Sequence, residues 1–543
     1  MSEYGVSEHT KEIAKGSLWG FAGKITFNII SFFYVIVVAS AVTQDDLGLF
    51  YLTLSIVTIL MLFNSLGMNA AIVRYIPFFE GTGNRKKIKT LLERSYIISS
   101  ITSIALMFCL WLASDFIGQL YQNPLLPETI RMLSLVLVMD SLFKLNTAYL
   151  RARSDIRGMQ LNVNLWNFLK LAITFALFHF YGASVVTIIA AYIISYVIAT
   201  AYSFVNVALN SKTLPKKSES LEWKQIFYEI LPFGVMLGLM TSLGSIVISI
   251  DSVLIGYLSS PSEATVLVAI YSVATALAML AFIFPNSIAI IFLPVMSKLY
   301  GKKNLPEMRA VTETAERWLL FITVPIASIL IAFAPEMLGT FYGPQYAAGA
   351  LVMSIIVVAI VIKSIAAVLS LILTSMKVVK LQLKILLSLT GVQIILDIIF
   401  ISYIGMMGAA ITFLARSILM LLLFVYYSKK FSGFEFSSGL YKLMAASAVF
   451  MGIVWLIKPI APLELLPGGE ELGLGFYLAK VLYLIYIAVF ASISFFALML
   501  VSLLLKCFRT EDIGIMKKVM EKAHVPAWII EKIEEKISYG VGS

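Results

Sequence analysis

The chain has 543 residues, of which 60% are hydrophobic and only 13% charged, and its mean hydropathy is +0.93. This composition lies outside the range of soluble globular proteins and indicates a protein that crosses the membrane many times. The formal net charge of +10 does not indicate nucleic-acid binding, because the Lys and Arg residues lie in short loops between apolar segments.

Fourteen apolar segments are each long enough to cross a bilayer, which takes about 20 residues at about 1.5 Å rise per residue. We place these spans near residues 16–41, 47–78, 92–113, 129–150, 160–180, 183–209, 226–258, 264–297, 312–334, 347–375, 383–403, 406–428, 439–460 and 474–505. The first fifteen residues are polar and no signal-peptide cleavage pattern follows, so the first span is expected to target the chain to the plasma membrane.

The connecting loops test this count, because cytoplasmic loops are enriched in Lys and Arg. Basic residues cluster before the first span, in every even-numbered loop and in the tail, whereas the odd-numbered loops are nearly free of them. A missed or invented span would invert this alternation from that point onward. The sequence therefore predicts fourteen spans with both termini in the cytoplasm.

Short segments recur at a nearly constant spacing and indicate two similar halves. Three pairs of positions share it: Gly16 and Gly234 (218 positions), Tyr51 and Tyr271 (220 positions), and Pro77 and Pro294 (217 positions). Six spans per half is an even number, so both halves have one orientation, which predicts a parallel repeat about an axis along the membrane normal. We therefore predict an all-α polytopic membrane protein with two six-helix lobes and two additional C-terminal helices.

The predicted organisation has six parts. They are a cytoplasmic N-terminus at 1–15, an N-lobe with spans 1–6 at 16–210, a basic cytoplasmic linker at 211–225, a C-lobe with spans 7–12 at 226–430, spans 13–14 at 439–505, and a cytoplasmic tail at 506–543. The tail has the pattern of an amphipathic helix, with Trp528 and Ile529 among Lys and Glu residues. It lies either on the membrane surface or against cytoplasmic loops.

Nine charged residues lie inside the predicted spans. Those of the first half are Lys24, Arg74, Asp140, Lys144 and Lys170, and those of the second are Asp251, Lys363, Asp397 and Arg416. Each costs about 2.5–3.5 kcal/mol at a helix centre, so most must face protein or water. The first set sums to +3 (four basic, one acidic) and the second to zero. Such an excess of cations suits a water-filled cavity that receives an anion.

Lys24 and Lys170 are the strongest candidates for contacting an anionic substrate, because neither has an acidic neighbour three or four positions away on its own helix. Asn167 shares its span with Lys170 and adds a polar group. Interhelical hydrogen bonding explains such amides equally well.

The other charges each have two interpretations. Asp140 and Lys144 are four residues apart, so they either pair with each other or contact substrate. Arg74 lies near the cytoplasmic end of its span and either contacts substrate or reaches the lipid headgroups. The four second-half charges either pair with one another to hold that half together or contact substrate, and we favour pairing. The GxxxG pairs indicate close helix packing rather than function.

Catalytic and cofactor motifs are missing. GFAGKIT around Lys24 resembles the phosphate-binding pattern GxxxxGK[ST]. However, Leu18 stands where the pattern requires its first Gly, and Ile25 stands where it requires Ser or Thr. Neither HExxH nor GxSxG occurs, and three His and two Cys residues show no metal-ligand spacing. We therefore expect no enzyme activity, no cofactor and no metal.

Two segments, WGFAGKITFNIISFFYVIVVASAVTQDDLGLFYL and VISIDSVLIGYLSSPSEATVLVAIYSVA, resemble the paired first-helix regions of Wzx-type oligosaccharide flippases. These belong to the multidrug/oligosaccharidyl-lipid/polysaccharide exporter superfamily. NAAIVRYIPFFEGTGNRKK is similar to the second helix and the basic loop of that family, and the resemblance covers residues 10–430. It implies a V-shaped fold that alternates between inward- and outward-facing states. It also implies a cationic cavity in the first lobe, which Lys24, Arg74, Lys144 and Lys170 could line.

The resemblance implies a flippase that moves a lipid (di)phosphate-linked oligosaccharide from the cytoplasmic to the outer leaflet, for cell-surface polysaccharide or glycan assembly. Membrane lipids are then further partners. Moving charge across the membrane is worth about 2.3 kcal/mol per elementary charge per 100 mV. If the inside is negative, outward movement of a diphosphate is downhill, so a coupling ion, Na⁺ or H⁺, is allowed but not required.

Two other functions are less well supported. A cation-coupled multidrug exporter of the same superfamily needs an ion-binding acid in the first lobe, where Asp140 is the candidate. A membrane glycosyltransferase, ligase or polymerase usually has a large external loop with charged residues, whereas the external loops here are short and nearly free of charge.

The predicted topology can be tested by cysteine labelling in a background that lacks Cys109 and Cys507. Ser259→Cys in the seventh loop should react with an impermeant thiol reagent added outside. Lys302→Cys in the eighth loop should react only after the membrane has been permeabilised. The reason is that one span separates the two loops. Labelling of both positions from one side would contradict the span count.

Overall fold

A computed structural model describes residues 3–212 and 221–434, together with isolated positions between 442 and 454. Within these ranges all regular secondary structure is helical, which confirms the predicted all-α class. The predicted spans at 439–505 lie largely outside the described residues, and the tail at 506–543 lies wholly outside them. Their predicted structure stays a prediction.

The helices follow one another with short connections. They are α1 (Glu3–Ala41), α2 (Gln44–Leu60), α3 (Met68–Gly81), α4 (Lys86–Leu120), α5 (Leu126–Ser134), α6 (Val136–Ala152), α7 (Ile156–Tyr181), α8 (Val185–Ser211), α9 (Trp223–Gln225), α10 (Leu231–Leu258), α11 (Ala264–Ala278), α12 (Ile283–Gly301), α13 (Leu305–Ala332), α14 (Ala334–Tyr342), α15 (Ala350–Ser375), α16 (Val379–Ile404) and α17 (Met406–Ser432). A π-helical turn at Ile226–Ile230 joins α9 to α10.

Eleven of the described helical segments are long and apolar enough to cross a membrane. They correspond to the first predicted span and to the third through twelfth. The second predicted span, 47–78, is not the single helix that we expected, because α2 ends at Leu60 and α3 begins at Met68. The chain turns between them through Leu66 (φ 45°) and Gly67 (φ 74°).

The break at Gly67 allows α10 to approach very closely. A Cβ atom added to Gly67 would lie 2.2 Å from the carbonyl carbon of Gly234, and one added to Gly238 would lie 3.2 Å from the Cα of Gly67. The GxxxG pair of α10 therefore serves close packing, as expected. Its partner is the turn between two short helices rather than a continuous helix.

The chain divides into two compact units. The first comprises Met1–Ala276 and Leu386–Thr412, and the second comprises Leu277–Ile385 and Phe413–Ser543. Since α10 and most of α16 belong to the first unit, its membership differs from that of the predicted N-lobe, and the lobe boundaries stay a prediction. In the second unit, α12, α13 and α15 pack against one another.

Within the first unit, α1 runs alongside α7 in the same direction. The Gln160 side chain donates to the carbonyl of Gly20 (3.4 Å), and further along both helices Asn167 donates to the carbonyl of Phe27 (2.8 Å). Both contacts join positions 140 apart. Parallel packing agrees with the predicted topology, in which these helices are the first and fifth spans.

Replacing Gly67 by Ala should strongly destabilise the protein. The new methyl group would collide with the backbone of Gly234 in addition to straining a positive-φ position. Gly83→Ala is the matched control, because Gly83 also has positive φ (77°) but no atom within 4 Å of an added Cβ. We expect Gly83→Ala to lower the free energy of unfolding by about 1–2 kcal/mol. Gly67→Ala should lower it clearly more, as measured by thermal unfolding in detergent. Equal losses of unfolding free energy in the two variants would show that the close contact between Gly67 and Gly234 does not contribute to stability.

Candidate functional site

The six predicted substrate-binding residues all lie in the first compact unit, on four of its helices. They are Lys24 on α1, Arg74 on α3, Asp140 and Lys144 on α6, and Asn167 and Lys170 on α7. Of the second-half charges, Asp251 and Asp397 belong to this unit, whereas Lys363 and Arg416 belong to the other.

Asp140 is the centre of a buried polar network. Its side chain is 2% exposed and forms an ion pair of 2.8 Å with Lys144. Asn64 donates a hydrogen bond of 2.8 Å to the same carboxylate, and the Tyr196 hydroxyl donates one of 3.1 Å. The pairing of Asp140 with Lys144, one of the two alternatives, is therefore confirmed. Asn64 reaches this site because it lies in the turn between α2 and α3.

The network neutralises the only acidic residue of the first-half set. Lys144 remains partly accessible, with 41% of its side chain exposed. Lys24 is half-buried and Arg74 is exposed. Neither makes an ion pair within the described parts of the chain, although the Arg74 guanidinium lies 5.9 Å from the centre of the Phe233 ring. All three cationic side chains are thus at least partly exposed.

Lys170 has a different environment, since its side chain is buried among aromatic rings. Its ammonium nitrogen lies 4.1 Å from the centre of the Tyr34 ring, 5.0 Å from that of Trp166 and 6.0 Å from that of Tyr192. Ring faces carry partial negative charge and attract cations. No acidic side chain of the described ranges pairs with it. The sequence offered one signal for this cage, Trp166 at the i−4 position.

Asn167 is fully buried and holds α7 against α1. Its amide nitrogen donates to the carbonyl of Phe27 (2.8 Å) and to the hydroxyl of Ser31 (2.8 Å). Of the two interpretations of this residue, the contacts favour interhelical hydrogen bonding. Its role at the substrate stays a prediction.

Asp251 lies in a second buried polar cluster. Its side chain has no exposed surface and accepts hydrogen bonds from the Tyr271 hydroxyl (2.6 Å) and the Gln393 amide (2.9 Å). The Asp397 carboxyl lies beside it and accepts from Thr412. Sequence reasoning missed Tyr271 and Gln393, because their polar groups resemble ordinary interior residues until the helices are packed.

The basic residues that we expected to pair with Asp251 and Asp397, Lys363 and Arg416, belong to the second unit, so this pairing stays a prediction. In the second unit, the ammonium of Lys363 lies 5.1 Å from the ring centre of Phe282 and 5.4 Å from that of Phe413. Oxygen atoms of carboxylates and amides are the ligands that hard cations prefer. The Asp251 cluster contains carboxylate and amide oxygen atoms of this kind.

Comparison with known proteins places these observations in a family. The family model described as polysaccharide biosynthesis protein matches residues 37–351, which is more than half of the chain. An uncharacterized membrane protein of Methanocaldococcus jannaschii is 21% identical over 472 residues, covering 83% of this chain and 91% of that protein.

Solved structures of transporters have a similar fold. An inward-facing multidrug resistance MATE family transporter of the MOP superfamily has a TM-score of 0.62 and 16% identity, covering 77% of this chain and 98% of its own. A MOP superfamily transporter from Pyrococcus furiosus, described as having reverse polarity of its binding pocket, has a TM-score of 0.57 and 17% identity, covering 78% and 96%. At this identity the likeness shows the fold alone.

Replacing Lys144 by Met should lower the thermal stability, because the buried Asp140 carboxylate loses its cation. The uncompensated group costs about 1–3 kcal/mol, and the lower end is expected since water already screens the half-exposed ammonium. Adding Asp140→Asn should recover most of this loss. The measurement is thermal unfolding in detergent, followed by tryptophan fluorescence.

Asp115→Asn provides the control, because it breaks the exposed ion pair with Arg131, and exposed pairs contribute little. A double variant whose loss equals the sum of the two single losses would show that Asp140 and Lys144 do not stabilise the fold as a pair.

Proposed function

The chain belongs to the family of polysaccharide biosynthesis proteins, and from this membership we propose that it is a flippase for a lipid (di)phosphate-linked oligosaccharide. It is a multi-pass membrane protein with a transporter fold. The proposed reaction moves the substrate from the cytoplasmic to the outer leaflet by alternating access, in the plasma membrane, with both termini in the cytoplasm. The product serves assembly of a cell-surface polysaccharide or glycan.

The observation that carries this proposal is the excess of interior cations in the first half of the chain, where four basic residues face one acidic residue, Asp140. Once Asp140 has paired with Lys144, Lys24, Arg74 and Lys170 still have no acidic partner among the described residues. A diphosphate would compensate such charges, whereas an organic cation would add to them. The charge balance therefore favours an anionic substrate over the cationic drugs that a multidrug exporter moves.

We assign the phosphate contacts to the accessible cations Lys24, Lys144 and Arg74. Each such charge-assisted hydrogen bond contributes about 1.5–3 kcal/mol. A sugar headgroup in hydrocarbon would lose its hydrogen bonds to water, at a cost of several kcal/mol per polar group. A polar cavity replaces these bonds while the lipid tail stays in the bilayer.

Two energy sources could drive this movement. An inside-negative potential contributes about 2.3 kcal/mol per elementary charge per 100 mV, so outward movement of a diphosphate needs no nucleotide. We also propose Asp251 as the site of a coupling cation, Na⁺ or H⁺. It is fully buried, and a second carboxyl group, that of Asp397, lies beside it.

The proposal is tested in vesicles that contain the purified protein and a fluorescent lipid diphosphate-linked sugar. Flipping should accelerate under an imposed potential that is negative on the cytoplasmic side. Lys24→Met should slow it about tenfold or more, because one lost phosphate contact corresponds to at least about 1.4 kcal/mol. Lys302→Met, which removes an exposed lysine of a connecting loop, is the matched control and should flip at the wild-type rate.

Other outcomes of this assay would contradict the proposal. Wild-type vesicles that flip no lipid-linked sugar but export organic cations under a proton or sodium gradient would identify a multidrug exporter, and Asp140→Asn would then abolish the coupling. If Asp251 binds the coupling cation, Asp251→Asn should remove the gradient dependence while potential-driven flipping persists. An unchanged gradient dependence would exclude that role of Asp251.

A further inference from the structure

A hydrogen bond joins equivalent positions of the two predicted halves of the chain. The Thr265 hydroxyl, at the start of α11, donates to the Asp45 carboxylate, at the start of α2, over 2.6 Å. The two residues are 220 positions apart, and the same spacing separates Tyr51 from Tyr271, six positions further along the chain in each half. Asp45 and Thr265 therefore have the same place in the predicted repeat, and both belong to the first compact unit.

Contact between equivalent positions indicates where the repeat axis runs. A two-fold rotation moves every atom by twice its distance from the axis, so two equivalent groups can touch only next to the axis. In a parallel repeat that axis is the membrane normal, and the substrate pathway lies at the interface between the repeats. The hydrogen bond between Asp45 and Thr265 therefore lies across the line along which a substrate would move.

The contact lies at the external end of this line. Asp45 belongs to the first loop and Thr265 to the end of the seventh loop, and both loops contain no Lys or Arg, as expected for external loops. Asp45 is exposed, whereas Thr265 is buried. The pair thus marks the boundary between the external solvent and the packed interior.

Tight packing continues inward from this hydrogen bond along α2. A Cβ atom added to Gly48 would lie 1.8 Å from the carbonyl oxygen of Thr265. One turn further, a Cβ atom added to Gly256 of α10 would lie 2.8 Å from the side chain of Leu52, which is 1% exposed. These contacts leave no passage between α2 and the two helices of the second half.

α4 adds another connection between the halves at the same end. The hydroxyl of Tyr121, the residue that follows α4, donates to the carbonyl of Val253 on α10 (3.1 Å). The ring of Tyr121 also lies 5.8 Å from that of Tyr257, measured between ring centres. The external end of α10 is therefore held by two elements of the first half.

We propose that Asp45, Gly48 and Thr265 form the external gate of the transport pathway, which is closed in this structure and opens when α2 separates from α10 and α11. Gly48 permits the close approach, because any side chain at this position would collide with backbone. The hydrogen bond holds the closed position and can be exchanged for hydrogen bonds to water when the gate opens. This inference rests on the alternating access proposed above but not on the identity of the substrate.

The gate is tested without a substrate by the reaction of Leu52→Cys, in a cysteine-free background, with an impermeant thiol reagent added outside intact cells. Position 52 is buried while the gate is closed, so the reaction requires opening and should be slow. Asp45→Ala should accelerate it about three- to tenfold, which corresponds to about 0.6–1.4 kcal/mol lost from the closed state. Asp46→Ala is the matched control, because Asp46 contributes its backbone nitrogen to a hydrogen bond with Thr43, and it should leave the rate unchanged.

Gly48→Ala should accelerate the reaction still more, since the backbone of Thr265 cannot rotate away as a side chain would. Unchanged rates in Asp45→Ala and Gly48→Ala would overturn the proposal. A reaction of Leu52→Cys alone that is as fast as that of an exposed cysteine would also overturn it. If Gly48→Ala does not fold, Asp45→Ala decides, because it removes only an exposed carboxylate.

Cross-linking tests whether the gate must open for transport. Oxidation of Asp45→Cys with Thr265→Cys to a disulfide by copper phenanthroline should stop flipping in vesicles, and reduction by dithiothreitol should restore it. The control pair is Thr53→Cys with Thr129→Cys, because the native hydroxyls lie 2.9 Å apart but join α2 to α5 within the first half, and its disulfide should leave flipping intact.

Undiminished transport by the oxidised gate pair would contradict the gate. Failure of the wild type to flip a lipid-linked sugar would contradict the flippase function alone, because the reaction at position 52 tests the gate independently of any substrate.

Discussion

The free-energy cost of placing charge in an apolar interior determines how the first compact unit surrounds its buried charged side chains. The unit meets this cost in three ways. Asp140 is held by a cation and two neutral donors, Lys170 is surrounded by aromatic rings, and Asp251 accepts from a hydroxyl and an amide. Only the first is neutralised by an ion pair within the described part of this unit. The rings around Lys170 and the hydrogen-bond donors to Asp251 offset only part of this cost.

One short break in a helix supports two of the main features of this unit. The turn between α2 and α3 directs Asn64 to the Asp140 carboxylate and places Gly67 against the backbone of Gly234. The same segment therefore links the buried polar network to the packing of the helix that carries Asp251.

Fold and charge carry different information about function. The similar solved structures include a multidrug resistance transporter and a MOP superfamily transporter described as having a binding pocket of reverse polarity. One fold thus supports pockets of different charge, and function must be argued from the site. In this chain the first half of the sequence has more interior cations than acids, and the proposed anionic, lipid-linked substrate rests on that balance together with family membership.

The sequence by itself determined the all-α class, the positions of eleven spans and the residues that carry interior charge, because hydropathy and the i, i+4 spacing are local properties. It also gave the Asp140–Lys144 pair, which lies on one helix, as one of two alternatives. Only the tertiary structure decided the break at Gly67, the enclosure of Lys170 and the partners of Asp251. Each of these depends on groups from distant helices, and the distances between such groups are fixed by packing rather than by spacing along the chain.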